Sequence, residues 1–296
     1  MTNQISVTQQ EGHIQVAFTA MASPCYLLIE GDDVTQHQKL IKHTIKEVER
    51  LEQKLSRYVL DSVCTKINLS NGNPVEIDTE TYNLFKYAQE LYDVSDGLFD
   101  ITSGALSQVW TFDEDLVTPT QEAIDRVLPY VGWTKMTVTP EAITLPTGME
   151  IDFGAMGKEY AVSCIAKVGR ELAPKHSILI NIGGDMEISQ KRSDGEKWTV
   201  DIERHAQEPL RVKFDRGAMA TTGDLHRFVM IDGERYSHIL NPKTGWPIKQ
   251  SVSTVTVTAQ TCIQAGSIAT LALLKGDDTE SFLEKQTGIK YVVNHY

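Results

Sequence analysis

The sequence predicts an α+β fold of mainly antiparallel sheets with packed helices. Three observations carry that expectation. Segments in the first third place their apolar residues on one helical face, the middle and end are rich in alternating apolar and polar runs, and no obvious linker, fixed-period repeat or low-complexity segment divides them. At 296 residues and 41% hydrophobic content, the chain has apolar material for one large domain over 1–296, or for two intimately packed ones. Disordered and fibrous classes are excluded.

In chain order, His13 to Ala20 and Cys25 to Glu30 read as a hairpin. A helix follows from about Gln36 to Leu55, with Ile41, Ile45, Val48, Leu51 and Leu55 on one face. Thr81 to Tyr92 repeats the pattern through Leu84, Ala88 and Leu91. Lys158 to Leu172, with Ala161, Ile165, Val168 and Leu172 on one side, and Ala265 to Leu274 read as two further helices. Strands are expected over Ser177 to Ile182, Trp198 to Ile202, Leu210 to Phe214, Phe228 to Ile231 and Val255 to Val257. The helical stripes read as core faces and not as partner-binding surfaces.

The net charge of -12, with no basic stripe to offset it, argues against a nucleic-acid binder. Cys25, Cys64, Cys164 and Cys262 show no paired spacing, so neither a zinc site nor a disulfide framework is implied. The first dozen residues lack a basic start and an apolar run, and no later stretch is apolar enough to span a bilayer. A cytoplasmic location is therefore expected, a removed leader being the alternative.

The most informative segment runs from Tyr236 to Pro247. His238 closes a short apolar run, and Asn241-Pro242 with Thr244-Gly245 reverses the backbone. A histidine fixed against a turn is placed for proton transfer near neutral pH; the competing reading is a strand-end histidine that only satisfies a carbonyl. It is one of a series. Ala20-Met21-Ala22-Ser23, Leu55-Ser56-Arg57-Tyr58, Gly97-Leu98-Phe99-Asp100-Ile101-Thr102, the run from Ile151 to Lys158, Asn181-Ile182-Gly183-Gly184-Asp185 and Ala220-Thr221-Thr222-Gly223-Asp224 precede it in order. Together, from about Phe18 to about Gly276, they closely resemble the ApbE family of flavin transferases, which attach FMN from FAD to a protein threonine.

The resemblance implies a fold often compared with tandem tunnelling-fold barrels. It implies that Met21 lines the flavin side, although methionine is also a common core filler. Tyr58 stacks nearby, a Phe99-Asp100-Ile101 strand edge offers backbone groups, and Asp152, Lys158, Thr222 and Ile239 join them in binding FAD. Asp152 and Lys158 flank a glycine-containing turn into a helix, where N–H groups favour an anion; a simple helix cap with a surface lysine is the other reading. The Gly183-Gly184-Asp185 and Thr222-Gly223-Asp224 sites read equally as tight strand turns or as places of close backbone approach. His238 takes the part of the base, and Asn241 stands where the family usually has aspartate.

For magnesium, the resemblance implies the Ala155 carbonyl and Thr270, but Gly266 stands where the family's aspartate belongs. No aspartate or glutamate occurs between Glu234 and Asp277, a segment carrying Arg235, Lys243, Lys249 and Lys275. Magnesium is usually anchored by one or two carboxylates, so weak or nucleotide-dependent metal binding is expected, with lysine from this segment sharing the charge balance. The expected activity is transfer of FMN to a threonine of a recipient flavoprotein, in a short Ser/Thr-Gly-Ala-Thr type motif, with release of AMP. A magnesium-dependent FAD pyrophosphatase and a non-catalytic FAD binder are the alternatives. Monomer and dimer are equally open.

Overall fold

The computed structural model describes residues 5–112, 118–204, 207–224, 228–231, 234–248 and 252–296. Its centre is an eight-stranded sheet in which every neighbouring pair runs antiparallel. In spatial order the strands are Ser6–Gln10, His13–Ala20, Ser23–Glu30, Ile178–Ile182, Asp185–Ile188, Gly217–Gly223, Val252–Ala259 and Lys290–His295. The expected hairpin is present, closing in register at Ala20 and Ser23 through Met21 and Ala22, whose φ angles are 52° and 54°. Two consecutive left-handed residues match the twist of the flanking strands.

Because side chains alternate along a strand, the two faces of the sheet bury different partners. Ile178, Ile180 and Ile182 join the main core under the helices, while Leu179, Met186, Ile188 and Met219 pack against the ribbon of Trp198–Ile202 and Leu210–Phe214. The Val34–Leu55 helix begins two residues before the expected start, because the Asp33 carboxylate accepts from the Thr35 N–H at 2.9 Å. It buries Leu40, Ile41, Ile45, Val48, Leu51 and Leu55. Asp78 caps the Thr79–Val94 helix in the same way, by accepting from the Thr81 N–H. The Gly157–Leu172 and Cys262–Leu274 helices complete the layer, the second buried on nearly all sides.

The Phe99-Asp100-Ile101 segment departs from its expected strand edge. It opens a 3-10 helix, Ile101–Gln108, because Asp100 turns its carboxylate onto the Thr102 N–H (2.9 Å), the Thr102 hydroxyl (2.7 Å) and the Trp133 N–H (2.9 Å). A side chain that satisfies its own downstream amide competes with any ladder. Of the two readings of Thr222-Gly223-Asp224, close backbone approach holds at Gly223, which ends the strand Gly217–Gly223 between Asp185–Ile188 and Val252–Ala259 and where a Cβ would lie 2.3 Å from the Ser253 carbonyl oxygen.

All four cysteines are free thiols, and burial pushes the Cys64 thiol up to about 12. Among the described residues no helix is long and apolar enough to cross a membrane.

Three helices meet at the carboxylate of Glu80. It accepts two bonds from Arg50 at 2.7 and 2.8 Å, a third from the Tyr160 hydroxyl at 3.0 Å, and pairs with Lys54. The Arg50 fork, with Lys54 and Tyr160, holds the Glu80 carboxyl at about 2 against the opposing effect of burial. A depressed folded value means that this stabilisation is complete above the ordinary value of 4.5 and is lost as pH falls toward 2. Urea denaturation should therefore find Glu80→Gln less stable by about 1 kcal/mol at pH 7. That deficit should close between pH 4.5 and about 2.

Candidate active site

A cleft of about 760 Å³ opens where the 3-10 helix, the start of the Gly157–Leu172 helix, the ends of two sheet strands, the His238 segment and the Cys262–Leu274 helix converge. Its size lies within the roughly 300–1,000 Å³ of small-molecule sites. Tyr58, Phe99, Asp100, Ile101, Asp152, Ala155, Lys158, Thr222, His238, Ile239 and Thr270 all line it. Met21 does not. Its turn N–H donates to Glu52 Oε1 at 3.0 Å and its side chain packs on the main core.

The histidine wall is a rigid construction. The strand Glu234–Ser237 stops one residue before His238, and the chain returns through a bridge between Leu240 and Pro247. Within the turn, Asn241 accepts from the Gly245 N–H at 2.8 Å through its carbonyl and from the Lys243 N–H at 2.9 Å through Oδ1. The asparagine thus supplies the acceptor expected of it. The carbonyl of Gly245, a residue at φ 72°, accepts from the Trp110 indole N–H at 2.7 Å, and a Cβ on Gly245 would lie 2.5 Å from Ile124 Cγ2. The His238 ring stands edge-on to Phe112 with centroids 6.3 Å apart.

Charged residues also line the cleft. Asp152 Oδ1 accepts from the Gly154 N–H at 2.7 Å, which shapes the turn into the helix, and Asp152 Oδ2 faces Arg57 at 3.5 Å. Arg57 also binds Glu150 at 2.5 Å, the Ser107 hydroxyl and the Gly104 carbonyl. No side chain caps the helix at Met156; the Met156 and Gly157 N–H groups donate to the Phe153 carbonyl at 3.0 and 2.7 Å, which leaves those of Lys158 and Glu159 as the first-turn donors without an intrahelical acceptor. Burial opposes the charge of Lys158, yet Glu159, Asp185 and Asp152 hold its pKa above the usual lysine value. Burial, followed by the neighbouring charge of Glu159, pushes the Asp185 carboxyl well above the ordinary range. Asp100 is raised by burial against the bonds from Thr102 and Trp133; its carboxylate is committed to the scaffold.

On the remaining side, the Thr222 and Thr270 hydroxyls are 3.1 Å apart. The Gly183-Gly184 pair forms the hairpin turn before Asp185, with φ angles of 61° and 99°, so the turn reading holds there. Among the described residues, the lysines of the acid-free segment do not line the cleft. Lys243 pairs with Asp96 at 3.5 Å, Lys275 ends the Cys262–Leu274 helix, Arg235 holds Asp224, and Lys249 lies outside the described residues. Among the described residues, Lys158 is the lysine that lines it.

The ApbE family model matches residues 13–293. The chain belongs to the ApbE family. Among its ApbE relatives is an FAD:protein FMN transferase of Vibrio cholerae serotype O1, 27% identical over 78% of this chain and 72% of the relative. One of Escherichia coli (strain K12) with the same name is 24% identical over 97% and 84%. The ApbE protein of Thermotoga maritima superimposes with a TM-score of 0.84 at 25% identity, covering 98% of this chain and 94% of that one. The flavin transferase ApbE of Vibrio cholerae shares the fold with a TM-score of 0.81 at 23% identity, over 98% of each chain.

Against this ApbE frame, several cleft residues escaped the sequence. Arg57 was visible within its motif, but its junction with Asp152 and Glu150 was not. Glu159 follows Lys158 and reads as an ordinary acidic residue in a helix's first turn. Its signal was indirect: an acid-free stretch around Gly266 invites a search for a carboxylate elsewhere. A group formed by Glu47, Glu80 and Cys164 has ligand spacing. Its carboxylates are neutralised by Arg50 and Lys54, and none of the three lines the cleft.

Gly245→Ala should lower stability by about 1–3 kcal/mol, since it combines a left-handed φ with a clash against Ile124. Thermal denaturation checks this, and the His238 turn should be the first part to loosen.

Proposed function

We propose that this protein is an FAD:protein FMN transferase, with residues 1–296 acting as one transferase unit. It moves FMN from FAD to a threonine hydroxyl of a recipient flavoprotein and releases AMP. The observation that carries this reading is the meeting of His238 with Lys158, Asp152 and Thr270 in one cleft, on walls contributed by segments far apart in the chain. The relatives that bear the name of this activity support it.

The donor set fits a divalent cation. Thr270 and Ala155 line the cleft, and beside them Glu159, only 6% exposed, has a buried Oε2 without a hydrogen-bond partner. An all-oxygen set of this kind suits a hard ion such as Mg²⁺. When bound, such an ion supplies positive charge to the pyrophosphate oxygens of FAD.

The chain's own residues account for the rest. Tyr58, 84% exposed at the rim, and Ile239 offer an aromatic and an apolar surface to the isoalloxazine ring. Lys158 and the uncapped helix start face the phosphates with positive charge and N–H donors. His238 accepts the proton of the recipient threonine as its oxygen attacks the FMN phosphorus; the bond from that phosphorus to the bridging oxygen breaks, and AMP leaves with the oxygen. Asp152, held by its turn and by Arg57, steadies the segment that presents Lys158.

The direct test incubates the protein with FAD, Mg²⁺ and a recipient peptide bearing threonine, and follows AMP and peptide-bound flavin together. Matched amounts support the transferase. AMP with free FMN identifies a pyrophosphatase, and tight FAD binding without AMP identifies a binder. His238→Asn should slow transfer on the order of 100- to 10,000-fold while FAD still binds, as read by flavin fluorescence. Lys158→Met should instead weaken FAD binding itself.

A further inference from the structure

The carboxylate absent from position 266 has a counterpart in the volume around it. A Cβ built on Gly266 would lie 2.5 Å from Glu159 Cγ and 2.9 Å from Glu159 Oε1. The Glu159 side chain therefore fills the space that a side chain at 266 would claim, reaching it from the neighbouring Gly157–Leu172 helix. It arrives there at a cost. Glu159 is 6% exposed, and its buried Oε2 has no hydrogen-bond partner, a state that destabilises a fold unless a ligand compensates it. The buried carboxylate of Asp185 lines the same cleft, as do Ala155 and Thr270.

We propose that Glu159 is the anchoring carboxylate of a divalent-cation site in this cleft, exchanged in space for the side chain that Gly266 lacks. The proposal deepens the transferase reading and rests on it only in taking the cleft as the place where cation and dinucleotide meet. It replaces the expectation of a site without a carboxylate. Glycine at 266 is then a requirement, because any side chain there would displace Glu159. A cation held by Glu159, Thr270 and Ala155 would have only oxygen ligands, which favours Mg²⁺ or Mn²⁺ over softer ions.

Mn²⁺ serves as the probe, titrated by electron paramagnetic resonance into the whole protein with and without FAD. Its effect on Tm is recorded in parallel. Wild type should bind Mn²⁺ and gain Tm from it. Glu159→Gln, nearly the same shape, should lose at least about 10-fold in affinity and most of the Mn²⁺-dependent rise in Tm. A merely structural role for Glu159 would change the Tm without ion and leave the ion's increment intact. Glu159→Ala should also lose binding, and Glu159→Ala combined with Gly266→Asp should recover it, since the first change vacates the volume the second needs. Undiminished Mn²⁺ affinity in Glu159→Gln overturns the proposal, as does a wild type that binds no Mn²⁺ with or without FAD, or a folded double variant without recovery. Flavin transfer is followed separately. Glu159-dependent Mn²⁺ binding in a protein that neither holds FAD nor transfers flavin would sink the transferase reading and leave this one standing.

Discussion

The distance between the Gly157–Leu172 helix and the sheet sets where the charged groups of the cleft stand. At Gly169 a Cβ would fall 2.9 Å from Ile178 Cδ1 and 3.2 Å from Ser189 Cβ, so the helix lies as close to the strand as a missing side chain permits. Ala161, Val162, Ile165 and Ala166 continue the contact, all buried. Small residues along one helix face exchange side-chain volume for proximity. At the far end of the same rod, that proximity delivers Lys158 and Glu159 to the cleft, next to strand ends bearing Asp185 and Thr222. Moving the helix outward by one methyl group would draw the lysine away from Asp185, the sheet carboxylate among those that sustain its charge.

The electrostatics of the cleft follow from this crowding. Glu159, Asp185 and Asp152 face Lys158 and Arg57 in a space partly closed to water. Among the described residues, positive charge is contributed by one lysine, one arginine committed to Glu150, and the amide groups of a helix start. Anionic phosphates and a cation entering together would satisfy such a surface, whereas either alone would meet repulsion from part of it. The His238 side of the cleft is built differently. His238 there adjoins a turn whose Gly245 carbonyl is held by the Trp110 indole, so the histidine and the charged groups are positioned by different segments of the chain.

Much of this was legible from residue order. The helices declared themselves through apolar spacing, and the strands Trp198–Ile202, Leu210–Phe214 and Phe228–Ile231 through alternation. His238, Asp152, Lys158 and Thr270 were singled out because each sits in a short motif, and the fold brings all four to one cleft. The strand Asp185–Ile188 stayed hidden because it is four residues long and buried throughout, which leaves no alternation to read. Asp100 misled because its carboxylate bends the chain away from a ladder. Glu159 was illegible for a different reason: its meaning depends on a glycine on another helix, and no periodicity within either segment records that meeting.

The sheet's first strand, Ser6–Gln10, has all five residues exposed and a partner on one side only. Its hold on the molecule is a row of backbone bonds to His13–Ala20 with almost no apolar burial behind it. Cohesion therefore grades across the sheet, from an edge that opens at little free-energy cost to strands such as Val252–Ala259, whose first six residues are buried and which opens only with the whole fold. The cleft draws Thr222 and Gly223 from the strand next to that inner one. Thermal breathing at the rim of the sheet can thus proceed without passing into the part of the protein where the chemistry is arranged.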